Sequence, residues 1–98
     1  MSEPICTVGF EFEGVCSACD GATVKGTMIT GEDKACINGK PICVTGSIGK
    51  GTCGHTCTAV GMSQTLMING KKVARVGDPV EGTIVGKIIT GENNAKAD

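Results

Sequence analysis

Two short stretches of the chain carry the residue types that hold metals or exchange electrons. Cys16-Ser17-Ala18-Cys19 is a C-x-x-C pair, and Cys53-Gly54-His55-Thr56-Cys57 sets the single histidine between two cysteines. Thiolate and imidazole donors presented by two tight turns suit a tetrahedral Zn²⁺ site. Iron is the other metal that sulfur donors hold on chemical grounds. The chain has seven cysteines, an odd number that excludes a complete disulfide framework within one chain. It shows no secretory leader with a basic start and an apolar middle, so its thiols are expected to stay reduced, which favours metal binding. The two knuckles offer five donors for four positions. The expected ligands are Cys16, Cys19 and His55, with either Cys53 or Cys57.

Such a site reads as closed and structural. A catalytic zinc needs an open position and a general base, and the nearest carboxylate, Asp20, reads as a turn residue. A redox disulfide at Cys16 and Cys19 competes with the metal reading, but a thioredoxin-like role needs a βαβ context that this chain does not offer. A nucleophile at Cys53 or Cys57 paired with His55 lacks a third group to orient it. Cys36 and Cys43 flank one turn and read as small buried hydrophobes in preference to a disulfide. Cys6 carries no signal. Arg75 and Asp78 read as a surface ion pair of little weight.

The elements that must position these donors are β-hairpins. Asn38-Gly39-Lys40 and Asn69-Gly70-Lys71 share the frame Ile-Asn-Gly-Lys, each entered from one apolar run and left through another. Asn-Gly between apolar runs marks a hairpin whose turn needs positive φ at both central residues. Ile37 and Ile68 occupy equivalent places, so the unit repeats. The first copy covers residues 21–47 and the second 58–78. A third, 82–92, repeats the Ile-Thr-Gly-Glu of Ile29-Thr30-Gly31-Glu32 at Ile89-Thr90-Gly91-Glu92 and stops before its hairpin. Residues 1–15 read as a lead-in, 16–92 as the β domain, and 93–98 as a polar tail expected to fray. Phe10-Glu11-Phe12-Glu13 alternates as an edge strand would, with both aromatic rings on one face. Gly or Pro interrupts nearly every window of helical length. The fold class is therefore all-β.

Composition agrees. A chain of 98 residues with two Phe, no Tyr, no Trp and 16 glycines has a thin core and calls for a staple such as a metal. A net charge of −1 without stacking aromatics argues against nucleic-acid binding. No apolar run reaches transmembrane length.

The second hairpin, Ile68-Asn69-Gly70-Lys71-Lys72-Val73-Ala74-Arg75-Val76-Gly77-Asp78-Pro79-Val80, resembles the signature of the PAAR-repeat family. The slot that names the family holds Lys72-Val73-Ala74-Arg75 here, and Pro41-Ile42-Cys43-Val44 in the first copy. The resemblance covers about Cys16 to Glu92. It implies a small conical all-β fold with approximate three-fold pseudo-symmetry and a metal near its apex. It further implies a non-enzymatic spike tip of type VI secretion, of contractile phage tails or of related injection systems. One copy would cap a trimeric β-helical spike protein (VgrG-like or a phage spike) and sharpen it for membrane puncture. The chain would be made in the cytoplasm and carried outward on the particle. Family metal sites draw on His and Cys from these loops; the single histidine here points to a Cys-rich variant. A small structural zinc-binding adaptor would explain the knuckles but not the repeated hairpins, and a Cys-based redox protein ranks below it.

Overall fold

Glycine-punctuated apolar runs become twelve short strands among the described residues. They are β1 (Glu3–Ile5), β2 (Glu11–Cys16), β3 (Ala22–Met28), β4 (Glu32–Ile37), β5 (Lys40–Ile42), β6 (Ile48–Gly51), β7 (Thr56–Ala59), β8 (Met67–Ile68), β9 (Lys71–Lys72), β10 (Pro79–Gly82), β11 (Ile84–Ile88) and β12 (Glu92–Ala97). The only helical piece among these residues is a 3₁₀ turn, Ser17–Cys19. The computed structural model describes residues 3–97; Met1, Ser2 and Asp98, the extremes of the expected lead-in and tail, lie outside the described residues.

Both Asn-Gly turns adopt the conformation their residues call for. Asn38 and Gly39 have φ of 54° and 78°, Asn69 and Gly70 of 53° and 78°. Hairpins β4–β5 and β8–β9 form around them. Six other strands close an antiparallel barrel in the order β10-β11-β2-β3-β6-β7. Paired strands run in opposite directions, so the connectors β2–β3, β6–β7 and β10–β11 share one end. The register agrees: Cys16 lies beside Ile84 and Ala22, and Gly82 beside Cys57. The opposite end receives β4–β5, β8–β9 and a third two-stranded pair.

That third pair is β1 with β12, Glu3 opposite Ala97 and Pro4 opposite Lys96. The third copy read from the sequence therefore gains its hairpin partner from the beginning of the chain. Residues 3–15, read as a lead-in, supply β1 and most of β2. Residues 93–97, expected to fray, pair as β12. Phe12 does not lie on an edge strand, because β2 is bonded on both sides, to β11 and β3.

The barrel interior is filled by Phe12, Met28, Val80, Ile84 and Ile88, all buried. One aromatic ring is enough to fill so narrow a space. A Cβ on Gly49 would stand 2.7 Å from the Phe12 ring and 2.9 Å from Met28 Sδ, and one on Gly26 would meet the Lys50 carbonyl and the same ring. A smaller cluster of Ile5, Ile42, Val44 and Val73 lies among the hairpins.

Where the hairpins meet the barrel, three segments close a main-chain ring. The Cys6 N–H donates to Ala74 O at 3.0 Å, the Ala74 N–H to Cys43 O at 2.9 Å, and the Cys43 N–H to Cys6 O at 3.0 Å. Antiparallel bridges flank the ring at Ile5–Arg75, Thr7–Ile42 and Val44–Val73. The segments then turn alike: Gly9, Gly46 and Gly77 have φ of 102°, 97° and 93°. Their N–H groups donate to Met28, Ala59 and Ile88 at 2.9, 2.9 and 2.8 Å. Two of these turns carry a side-chain acceptor. Ser47 Oγ accepts from Val44 N–H at 2.9 Å, and Asp78 Oδ2 from Arg75 N–H at 2.9 Å.

Candidate metal centre

The connector end of the barrel gathers the chemistry. Cys16 ends β2 with its side chain buried, and the 3₁₀ turn then carries Cys19 back over it. The turn closes through Asp20 and Gly21, both left-handed at φ 56° and 76°. Asp20 thus sits in the turn as its residue type suggests. The Gly21 N–H donates to Cys16 O at 3.0 Å. Ser17 fastens the turn to the neighbouring connector, its N–H and Oγ both donating to Thr83 O at 3.0 and 3.2 Å. The β6–β7 connector is equally tight. Gly54 takes φ 88°, and the Gly51 N–H donates to His55 O at 2.8 Å. This reversal turns Cys53 and His55 toward Cys16 and Cys19.

The ligand atoms of Cys16, Cys19, Cys53 and His55 all lie within 4.8 Å of one another. His55 Nδ1 is 3.4 Å from Cys16 Sγ, 3.5 Å from Cys19 Sγ and 3.4 Å from Cys53 Sγ. Cys53 Sγ stands 3.8 Å from Cys16 Sγ. A tetrahedral zinc with ordinary Zn–S and Zn–N bonds requires edges of roughly 3.8 Å between sulfurs and roughly 3.5 Å between sulfur and nitrogen. These four separations lie close to those values and the remaining two are within 4.8 Å, so the four side chains are grouped closely enough for a Cys₃His cage. Three of the four are only partly buried, as a site at a barrel end would be.

The electrostatics agree. The Cys53 thiol is pulled down to about 7, first by the His55 backbone N–H and then by the His55 ring. The Cys19 thiol is pushed up to about 12, first by its hydrogen bond with Cys16, then by desolvation and by Cys53. Three thiols this close cannot all ionise without a cation among them, and a divalent metal reverses that balance.

Cys57, the fifth sequence candidate, is not in the group. It points into the barrel from β7, level with Gly49 and Gly82, and is buried. Desolvation pushes its thiol up to about 11. Sequence spacing alone does not separate it from Cys53, because the deciding feature is the reversal at Gly54. The third connector, at Gly82 and Thr83, contributes no donor; its part is the Thr83 carbonyl that holds Ser17. Of the two cysteines expected to be small buried hydrophobes, Cys43 is buried in the core, but Cys36, opposite Pro41 beside the turn, is exposed. Arg75 and Asp78 form more than a surface pair. Asp78 is buried, its Oδ1 3.1 Å from Arg75 Nε, while its Oδ2 also accepts from Met62 N–H at 3.0 Å.

The family model described as PAAR motif matches residues 20–82. The chain belongs to the PAAR-motif family. No curated protein matches it. The match takes in both Asn-Gly hairpins, Cys53 and His55, and begins just after Cys19, so two of the four candidate donors of this PAAR chain lie ahead of the matched stretch. The family is structural rather than enzymatic. Among the described residues, no helix of the PAAR chain is long and apolar enough to cross a membrane.

Proposed function

We propose that this chain is the non-enzymatic tip of a contractile injection spike, with Zn²⁺ tying its apex through Cys16, Cys19, Cys53 and His55. One observation carries the reading: the two ends of the barrel are built differently. One end narrows to three tight connectors with a Cys₃His set of zinc dimensions. The other opens into three hairpin-like pairs around a main-chain ring. We read that ring as marking an approximate three-fold axis, which suits the blunt end of a trimeric β-helical spike. Strand edges of such a spike need covering, and the hairpins present edges of their own to do so. The apex would meet the target membrane only during puncture.

Zinc in a closed site of this kind contributes to folding directly, on the order of 10 kcal/mol in zinc-finger peptides. It would offset a core with one fully buried aromatic ring. Iron in the same cage is the chemical alternative. The test has two parts. Purified protein carries about one equivalent of zinc by elemental mass spectrometry, as a four-ligand site requires. It also binds a trimeric β-helical spike with one copy per trimer in analytical ultracentrifugation. Metal-loaded protein that ignores the spike's blunt end would leave a small zinc module and remove the tip.

A further inference from the structure

The metal reading leaves a second pair of thiols unused. Cys6 and Cys43 are both wholly buried in the barrel core, and each belongs to the main-chain ring. Thr7 and Ile42 are bridged antiparallel, so the next pair outward is Cys6 and Cys43, already joined by the Cys43 N–H to Cys6 O bond. Directly opposed residues on antiparallel segments have Cα atoms about 4.5–5.5 Å apart, within the range a disulfide spans. Each thiol donates to a main-chain carbonyl, Cys6 Sγ to Thr7 O and Cys43 Sγ to Thr30 O, both at 3.6 Å, and the nearby Cys43 thiol, then burial, raises the Cys6 thiol above its ordinary range. The third member of the ring, Ala74, has no sulfur, so the pair has a single partner choice.

We propose that Cys6 and Cys43 are a disulfide site: a redox staple that fastens β1 to the first hairpin when the protein meets a disulfide oxidant. The reaction is thiol–disulfide exchange. One thiolate attacks a sulfur of a small disulfide such as oxidised glutathione and expels one thiolate of the reagent. The second cysteine then attacks the mixed disulfide and expels the other. The two cysteine sulfurs lose two electrons, the reagent gains them, and the two protons go to the two released thiols. Neither thiol is exposed, so exchange needs β1 to lift. That strand has three residues and is held by β12 and the ring. Once formed, the bond prevents β1 from leaving. Cys16, Cys19 and Cys53 are outside the proposal, and it stands whether or not the metal reading does.

The test is refolding of the full chain with Zn²⁺ in a mixture of oxidised and reduced glutathione, followed by alkylation and digestion after glutamate. That digestion frees residues 1–11, since Pro4 blocks cleavage after Glu3, and this peptide contains Cys6 without Cys16 or Cys19. The expected product has lost two hydrogens, about 2 Da, and links the Cys6 peptide to the one containing Cys43. The link persists in Cys36→Ala and disappears in Cys6→Ala and in Cys43→Ala. Ala74 occupies the third ring position, so alanine fits there and both variants fold. The oxidised wild type melts roughly 10 °C or more above the reduced form, a difference absent from Cys6→Ala. Recovery of Cys6 and Cys43 as alkylated thiols after refolding overturns the proposal. So does a Cys6 peptide linked to Cys36.

Discussion

The two ends of this barrel hold three chain segments together by opposite means. At the connector end, side chains from two segments converge, three thiols and one imidazole, and the third segment lends only a carbonyl. At the hairpin end, all three segments are joined through their backbones, each donating one hydrogen bond to the next. On the proposed reading, the side-chain knot depends on four particular residues and on a cation. A main-chain ring depends on register and tolerates Cys, Cys and Ala at equivalent places. The connector end should therefore be sensitive to chelators and to single substitutions at the four donors. The hairpin end should be sensitive to what fixes its register.

The largest effect should come from emptying the cage. A strong chelator is expected to lower the melting temperature by at least about 20 °C, read by scanning calorimetry with and without added zinc. Unchanged melting would mean that the hairpin end alone carries the fold. Next, Cys53→Ser should abolish stoichiometric zinc, whereas Cys57→Ser should keep it; elemental analysis of the two variants separates a cage donor from a core thiol. At the hairpin end, Asp78→Ala removes the acceptor shared by Arg75 and Met62. It should destabilise by about 2–3 kcal/mol in urea titration, with zinc content unaltered. Gly49→Ala drives a methyl group against Phe12 between the two ends, and about 1–3 kcal/mol is expected there. The smallest change is Asn69→Ala, which forces alanine into a left-handed turn. It should lose about 1–2 kcal/mol and leave both zinc and the barrel in place.

Local chemistry was legible in the sequence and long-range pairing was not. The positive φ of Asn38, Gly39, Asn69 and Gly70 follows from residue types within a few positions, so the hairpins could be read directly. The cage was legible as five donors for four positions, but Cys53 and Cys57 are separated only by how the chain reverses at Gly54. The opposition of Cys6 and Cys43 could not be read, because it arises from a bridge between Thr7 and Ile42 rather than from the hairpin that Cys43 follows. The third copy looked truncated for a similar reason: its missing strand lies at the far end of the chain. Asp78 looked like one half of a surface pair, since nothing nearby in sequence announces that its second oxygen reaches back to Met62.

The pairing of β1 with β12 has a consequence for synthesis. Glu3 is made well before Ala97, so the wall that the two share is raised only once Ala97 has left the ribosome. Until then β1 is held only on its Arg75 side, and a nascent chain that has not reached β12 would carry two complete hairpins and an open seam.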